Sequence, residues 1–391
     1  MKEYQSKYHR IPLIIAFQET SQYKDTYAGE IGTIALTAHL LKSNISSGKS
    51  VVVFMHPTGG GSYLPMLNSL AKQGIDTVWC DSRYRGTDSA LIMEKVLIDL
   101  GQCIKHLKGV LNYEKVILGG WSGGGSLSLF YQSQAENTSI KETPAGDPID
   151  LISENFTPAD GVMLIAAHES RHRTFTEWLD GSVLDEGNPE KRNIELDIYD
   201  ENNPNQPEYS NDFITAYRAS QIERNRKITT WVQEKLNDYK TKGEDNRELG
   251  FVVHRTMADP KWLDASIDPN GRQPNWCFLG DPETVNNSPI GLGRFCSLRS
   301  WLSQWSYDLA QGDGINCAKK ISVPSLVIGN TADDGITPSH TKNLYDAIGH
   351  DNKSLNWIEG ANHYYFGQPD KSNEASLVCK SWLQEKNLID E

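Results

Sequence analysis

Residues 115–130 read KVILGGWSGGGSLSLF, a short apolar run that ends in a group of glycines with one serine among them. Gly120, Ser122 and Gly124 match the pattern G-x-S-x-G, in which a serine lies at the apex of a sharp turn between a strand and a helix. Small neighbours let the backbone close around such a serine. Because a strand-like run precedes the turn and a helix-like run follows it, the stretch predicts that Ser122 is a nucleophile at the end of a strand.

The glycines have three other interpretations. A phosphate-binding P-loop requires G-K-[ST] after its second glycine, and this chain has none there. A dinucleotide-binding loop requires the spacing G-x-G-x-x-G and an acidic residue at a strand end about twenty residues further on, and neither is present. A plain glycine-rich turn between strand and helix stays open at this stage.

The composition and charge limit the partners. The chain has 391 residues, of which 38% are hydrophobic and 23% charged, which suits a globular protein with a large core. Its net charge of −13 argues against nucleic acid or an anionic membrane, since both present negative charge. The first twenty residues lack a signal-peptide pattern, and no window approaches the ~20 apolar residues of a membrane span. We therefore expect a cytoplasmic protein that acts on a small molecule. Its oligomeric state is not indicated.

The cysteines and histidines show no metal-binding spacing. There is no H-E-x-x-H and no close Cys/His cluster, so neither a metal nor another cofactor is expected. His168 and His172 are four residues apart, but a pocket or hydrogen-bonding role is favoured over metal binding. Scattered cysteines without C-x-x-C are typical of reduced, buried thiols; they are Cys80, Cys103, Cys277, Cys296, Cys317 and Cys379.

Strand and helix patterns alternate in two parts of the chain. This alternation predicts an α/β fold with a mostly parallel sheet that is covered by helices on both faces. Two segments before residue 50 are expected to add antiparallel edge strands. The predicted strands are 50–56, 76–84, 115–120, 161–168, 325–330 and 353–360, and the predicted helices are 90–112, the segment after the glycines, 339–349 and 373–388.

The alternation stops between the two parts. Residues 169–320 are polar and irregular, yet they hold six of the ten tryptophans, which a disordered linker would not carry. We therefore predict a core formed by residues 1–168 and 321–391 and an inserted, mainly helical lid at 169–320, with one long helix at 216–240. Tryptophans such as Trp178, Trp301 and Trp305 either line a substrate cleft or form the core of the lid itself.

A nucleophilic serine needs a base, and the base needs an orienting acid. After a G-x-S-x-G turn the chain order is Ser, then Asp or Glu, then His. His363 follows the last predicted strand, and Asp333 and Asp334 follow the strand before it. Because the carboxyl ends of parallel strands meet at one edge of a sheet, these side chains are expected to lie near Ser122.

With these motifs the chain resembles the α/β-hydrolase superfamily, in particular serine esterases and lipases with a large inserted lid. The resemblance covers about 50–168 and 321–391. The acid turn of that family often reads D-x-x-x-P, which Asp334-Gly-Ile-Thr-Pro338 matches, so Asp334 is favoured over Asp333. Glu169 is the fallback acid, since some members place the acid after the preceding strand. The family loop D-x-R-G-H-G-x-S is echoed in part at residues 81–89, where a structural role is expected and where Arg83 or Arg85 is a candidate for shaping the pocket.

The resemblance also implies an oxyanion hole of two backbone N–H groups. One is expected from Gly123, directly after the serine. The loop His56-Pro57-Thr58-Gly59-Gly60-Gly61 resembles the family's H-G-x-G-G, and its register favours the amide of Thr58 as the second donor.

Together these features predict a serine hydrolase that cleaves a carboxylic ester or lactone through an acyl-enzyme on Ser122, with His363 as base and Asp334 as acid. The long lid favours a bulky, partly apolar substrate. An acyltransferase or thioesterase and a carbon–carbon bond hydrolase use the same three residues and stay open. A non-catalytic small-molecule-binding protein of this fold is the alternative from another class.

Overall fold

The chain is described by a computed structural model that covers residues 7–21, 24 and 29–390. Its main element is an eight-stranded sheet with the order β1-β2-β4-β3-β5-β6-β9-β10, and β7 and β8 form a separate pair. The strands are β1 (Tyr8–Gln18), β2 (Thr33–Ser43), β3 (Ser50–Phe54), β4 (Asp76–Cys80), β5 (Lys115–Trp121), β6 (Gly161–Ile165), β7 (Gly250–Val252), β8 (Phe295–Ser297), β9 (Ser325–Asn330) and β10 (Lys353–Ile358).

Helices lie between most of these strands. They are α1 (Pro65–Lys72), α2 (Met93–Gly109), α3 (Gly123–Glu136), α4 (Arg171–Trp178), α5 (Asn211–Thr241), α6 (Pro260–Leu263), α7 (Pro282–Asn287), α8 (Leu298–Gln304), α9 (Gly314–Ala318), α10 (Pro338–Ala347) and α11 (Pro369–Glu385), with one short 3₁₀ helix at Ile194–Leu196.

Most neighbouring strands of the large sheet are parallel. β3 pairs in parallel with β4 and β5, and the parallel pairing continues through β6 and β9 to β10. β1 and β2 pair antiparallel over eleven residues each, and β2 is antiparallel to β4. The predicted α/β class, the parallel sheet and the two antiparallel strands at its edge are therefore confirmed.

The central strands are buried on both faces because each face carries its own apolar layer. In β3, Val51 and Val53 point to the layer that α2 and α3 cover, whereas Val52 and Phe54 point to the layer under α1 and α11. Successive side chains of a strand alternate between the faces of a sheet, so a continuous apolar run such as SVVVF fits a strand covered on both sides.

The residues between β6 and β9, 166–324, are called the insert below. They contain α4 to α9 and the β7–β8 pair, although β6 and β9 are direct neighbours in the sheet. The insert has its own apolar cluster, in which Trp301 and Trp305 stack with ring centroids 5.1 Å apart. The bounds 169–320 of a lid domain stay a prediction.

The long helix of the insert begins earlier than predicted. α5 spans Asn211–Thr241, against a predicted 216–240, because Ser210 caps its first turn. The Ser210 hydroxyl accepts a hydrogen bond from the Phe213 amide at 3.2 Å.

All six cysteines are buried and unpaired, as predicted. Within residues 7–21, 24 and 29–390, no helix combines the length and the apolar character needed to cross a membrane. The same residues hold no group of three or more His, Cys, Asp or Glu side chains suited to a metal ion.

Candidate active site

Ser122 lies at the turn between β5 and α3. Its backbone angles are φ 51° and ψ −124°, a conformation that side-chain-bearing residues rarely adopt. Its amide donates to the carbonyl of Ile165 at the end of the neighbouring β6. The strained turn therefore presents the serine at the carboxyl edge of the sheet, as the sequence pattern predicts.

The glycines around Ser122 are required by close approach of the backbone. A Cβ on Gly120 would lie 2.5 Å from the Cα of Gly125. On Gly124 it would lie closer than 3.0 Å to the carbonyl oxygen of Met55, and on Gly125 closer than 3.0 Å to the side chain of Ala167. Cβ atoms essentially never approach other atoms so closely. The interpretation as an ordinary glycine-rich turn is therefore not needed, because the close packing itself explains the run GGWSGGG.

His363 connects the serine to a carboxylate. Its Nε2 lies 3.1 Å from Ser122 Oγ, and its Nδ1 lies 2.9 Å from Asp333 Oδ2. His363 and Asp333 are both buried. Trp121 donates a hydrogen bond from Nε1 to the carbonyl oxygen of His363 at 3.1 Å, which fixes the loop that carries the imidazole. The structure thus joins Ser122 and His363 as predicted from chain order.

The prediction of Asp334 as the acid is corrected to its neighbour Asp333. The turn after β9 directs Asp333 Oδ1 to the amides of Gly335 and Ile336, at 2.8 and 2.6 Å, and leaves Oδ2 for His363. Asp334 Oδ1 is buried and has no partner among the described residues. The D-x-x-x-P register is therefore misleading here, since the turn geometry and not the proline spacing decides which carboxylate faces the histidine.

The electrostatic environment stabilises the protonated form of His363. Burial alone would lower the pKa of His363, but attraction to Asp333 and the hydrogen bond with it outweigh burial, with a smaller contribution from Asp334, and raise the pKa. The pKa of Asp334 is raised by burial and by repulsion from Asp333. A base whose charged form is stabilised by a buried carboxylate is suited to take a proton from a hydroxyl.

Glu169, the alternative acid, hydrogen-bonds to Asn343 and not to His363. Glu169 Oε1 accepts a hydrogen bond from Asn343 Nδ2 at 2.7 Å, and its own amide lies 3.4 Å from His340 Nδ1. His168, one residue earlier, lines the cavity beside Ser122, whereas His172 lies outside that cavity, with Nε2 3.8 Å from Asp313.

The two predicted oxyanion donors have different environments. Gly123 N has no acceptor among the described residues. This amide, next to Ser122, is therefore available to donate a hydrogen bond to a ligand. The amide of Thr58 instead donates to Nδ1 of His56 at 3.3 Å. The prediction of Thr58 as a free second donor is therefore corrected: the side chain of His56, two residues earlier in the same loop, occupies its N–H.

The segment 81–89 contacts the loop 56–61 that follows β3. Asp81 Oδ1 accepts from the amide of Gly60 and from Trp79 Nε1, both at 2.7 Å. Arg83 is buried against Asp99, and Arg85 pairs with Asp81. Neither arginine lines the cavity, so the contacts of this segment are structural and the pocket-shaping alternative is not supported.

A cavity of about 300 Å³ opens above Ser122. Among the described residues that line it there is no Asp, Glu, Lys or Arg. The core contributes aromatic side chains including Trp121 and Tyr364. The insert contributes the side chains of Phe175, Trp178, Phe278, Leu279, Ile290 and Leu292. Trp178 therefore lines the cleft while Trp301 and Trp305 lie in the core of the insert, so both open interpretations of the tryptophans apply, to different residues.

Sequence reasoning did not find the apolar wall from residues 278–279. A signal is present, because WCFLG at 276–280 is an apolar run inside a polar stretch. Phe278 packs against Trp178 and His363, with ring centroids 5.1 and 6.0 Å apart.

Comparison with known proteins supports the fold. No protein-family model matches the chain, and no curated protein matches it. Among solved structures, DcsB in complex with its substrate analogue aligns with a TM-score of 0.50 at 12% identity, over 97% of this chain and 99% of that one. A monoacylglycerol lipase from Paleococcus ferrophilus aligns at 15% identity and TM-score 0.45, over 90% and 99% of the two chains. An esterase domain from Rhodothermus marinus aligns at 11% identity and TM-score 0.46, over 96% and 98%.

The sheet order, together with the likeness to the DcsB structure, defines the class of protein: the chain has the α/β-hydrolase fold, and the predicted fold class is confirmed.

Proposed function

We propose that this protein is a serine hydrolase that cleaves a carboxylic ester or lactone. The observation that carries the proposal is the continuous contact from Ser122 Oγ through His363 to Asp333. Since a serine, a histidine and a carboxylate in this order of contacts form the general arrangement for nucleophilic acyl transfer, a binding protein without catalysis is disfavoured.

The reaction begins with attack of Ser122 Oγ on the carbonyl carbon of the ester. His363 Nε2 takes the hydroxyl proton, and Asp333 stabilises the resulting imidazolium and holds its tautomer. The carbonyl oxygen becomes an oxyanion next to Gly123 N. When the intermediate collapses, His363 gives the proton to the leaving alkoxide and Ser122 keeps the acyl group. Water, deprotonated by His363, then attacks the acyl carbon and restores the free serine.

The size and the lining of the cavity limit which substrates it can hold. A ligand pocket usually has a volume of about 300–1,000 Å³, so this one is at the small end. The described residues of its lining include many aromatic and aliphatic side chains and no Asp, Glu, Lys or Arg, so a charged substrate would lose hydration without gaining an oppositely charged partner among them. The proposed substrate is therefore an uncharged, apolar and compact ester, rather than the bulky one that the length of the insert favours.

The test is intact mass after exposure to an alkyl fluorophosphonate. The wild type is expected to gain one adduct and Ser122→Ala none. Ser133→Ala, on the same helix α3 but outside the cavity, is the matched control and should react like wild type. A folded wild type that neither reacts nor hydrolyses 4-nitrophenyl butanoate would overturn the proposal.

A further inference from the structure

The loop that follows β3 has few free amides to offer an oxyanion. Thr58 N donates to His56 Nδ1 at 3.3 Å, Gly59 N to the carbonyl oxygen of His56 at 2.8 Å, and Gly60 N to Asp81 Oδ1 at 2.7 Å. Stabilisation of a tetrahedral oxyanion ordinarily uses two donors, and Gly123 N supplies one. These three amides are therefore occupied, and the candidates for a second donor near Gly123 are Gly61 N and the side chain of His56, which both belong to the cavity lining.

The side chain of His56 has the required tautomer. A backbone N–H can only donate, so the contact from Thr58 N makes Nδ1 of His56 an acceptor. Burial, together with the nearby charges of Arg171 and His363, lowers the pKa of His56 to about 3, so the ring is neutral at ordinary pH. In a neutral imidazole with an accepting Nδ1, the proton is on Nε2.

This Nε2 lies beside the nucleophile. It is 2.6 Å from the position that a Cβ on Gly123 would occupy. Since a Cβ lies about 2.5 Å from the nitrogen of its own residue, His56 Nε2 and Gly123 N are no more than about 5 Å apart. One oxygen can accept from both atoms at that separation, because each hydrogen bond spans about 2.9 Å. His56 lines the cavity, and its Nε2 has no partner among the described residues.

We propose that His56 Nε2–H is the second oxyanion donor of this site, and that it acts together with the amide of Gly123. Thr58 then has an indirect role, since its amide and hydroxyl, the latter 2.8 Å from His56 Nδ1, hold the ring in the donating orientation. The inference rests on the proposed function, because a donor to an oxyanion matters only where acyl transfer occurs.

The experiment compares two substitutions of His56 by steady-state hydrolysis of 4-nitrophenyl butanoate. His56→Met removes the donor and is expected to lower kcat about 10²–10³-fold with little change in KM, as for loss of one oxyanion donor. His56→Gln keeps an N–H group near the position of Nε2 and is expected to recover at least ten-fold of that loss. His106→Gln, on α2 outside the cavity, is the control for the exchange itself.

A second readout separates this role from a structural one. A trifluoromethyl ketone forms an oxyanionic hemiketal with the serine, so its inhibition constant should rise in His56→Met by about the same factor as kcat/KM falls. Circular dichroism and thermal melting report whether each variant is folded. If His56→Met does not fold, His56→Gln is compared with wild type instead. An inhibition constant and a kcat/KM that change by different factors would overturn the inference.

Two failures are distinguishable. If wild type itself shows no serine-dependent reaction, the proposed function is wrong. If wild type is active and folded His56→Met keeps kcat and the inhibition constant within about three-fold, the inference on His56 is overturned and the second donor is a backbone amide of residues 58–61.

Discussion

Asp333 and His363 meet at 2.9 Å between Oδ2 and Nδ1, while Asp334, the next residue, leaves one buried carboxylate oxygen without a partner among the described residues. The two aspartates follow the same strand and differ by one position in a single turn. They therefore offer a matched pair for testing which carboxylate orients the base.

The first prediction concerns this pair. Asp333→Asn should lower kcat for an activated ester about 10³–10⁴-fold, because the amide favours the wrong tautomer of His363 and cannot stabilise its charge. Asp334→Asn should change kcat less than about five-fold, since its carboxylate does not contact the imidazole. Steady-state kinetics on 4-nitrophenyl butanoate measures both. A greater loss in Asp334→Asn than in Asp333→Asn would contradict the assignment.

The second prediction is a pH profile. His363 acts as a base only when neutral, and its pKa is raised above the usual 6.5. Activity is therefore present above that raised pKa and is lost as the pH falls through it, so the acidic limb of kcat/KM should have its midpoint above pH 6.5. Replacing Asp334 by Asn should move the midpoint to lower pH, since Asp334 contributes to the rise.

The other histidines of the cavity, His56 and His168, should not add a second ionisation to the pH profile of kcat/KM. The pKa of His56 is lowered to about 3, and that of His168 is lowered well below its usual value, in both cases chiefly by burial. A single ionisation between pH 5 and 8 is expected in the kcat/KM profile. Two resolved ionisations in that interval, or a midpoint at or below 6.5, would show that the charge environment of His363 is not as described.

The third prediction concerns the glycines. Gly124→Ala should destabilise the protein by about 1–3 kcal/mol or more, because its Cβ would overlap the carbonyl oxygen of Met55 and force the backbone to move. Gly109→Ala is the matched control, since a Cβ there meets nothing within 4 Å and alanine is the better helix former by about 1 kcal/mol. Denaturant unfolding measures both, and equal stabilities of the two variants would refute the close-approach argument.

The fourth prediction concerns substrate size. Phe278→Ala removes an aromatic wall of the cavity beside His363, so the ratio of kcat/KM for octanoate over acetate esters of 4-nitrophenol should rise relative to wild type. Trp276→Ala provides the control, because Trp276 is 43% exposed and does not line the cavity. An unchanged ratio in Phe278→Ala would mean that this wall does not contact the acyl chain.

The sequence was sufficient for those features that depend on periodicity and chain order. Apolar runs of β-branched residues indicated the buried strands, and the order of Ser122 and His363 along the chain placed them at one edge of the sheet. Both inferences depend on properties that each residue carries in the sequence itself.

The sequence-based predictions that the structure corrects depend on the orientation of individual backbone amides and side chains. The sequence favours Asp334 over Asp333, whereas the choice between two adjacent carboxylates depends on how the amides of Gly335 and Ile336 point. The position of Thr58 in the loop is visible in the sequence and favours its amide as a donor, whereas the imidazole of His56, which accepts a hydrogen bond from that amide, is placed by tertiary packing. The apolar wall of the cavity comes from parts of the insert far apart in sequence, which no local pattern connects.

The pairing of β6 with β9 has a consequence for how this protein can change. The two strands are parallel neighbours, so the chain leaves the sheet at the carboxyl end of β6 and must cross to the opposite edge before it re-enters at the amino end of β9, with the whole insert in this crossover. The part of the insert that forms its own apolar cluster lies outside the strand pairings that position Ser122, Asp333 and His363. Under the proposed function, the insert's share of the cavity wall can therefore diversify while the residues that react with the substrate stay fixed.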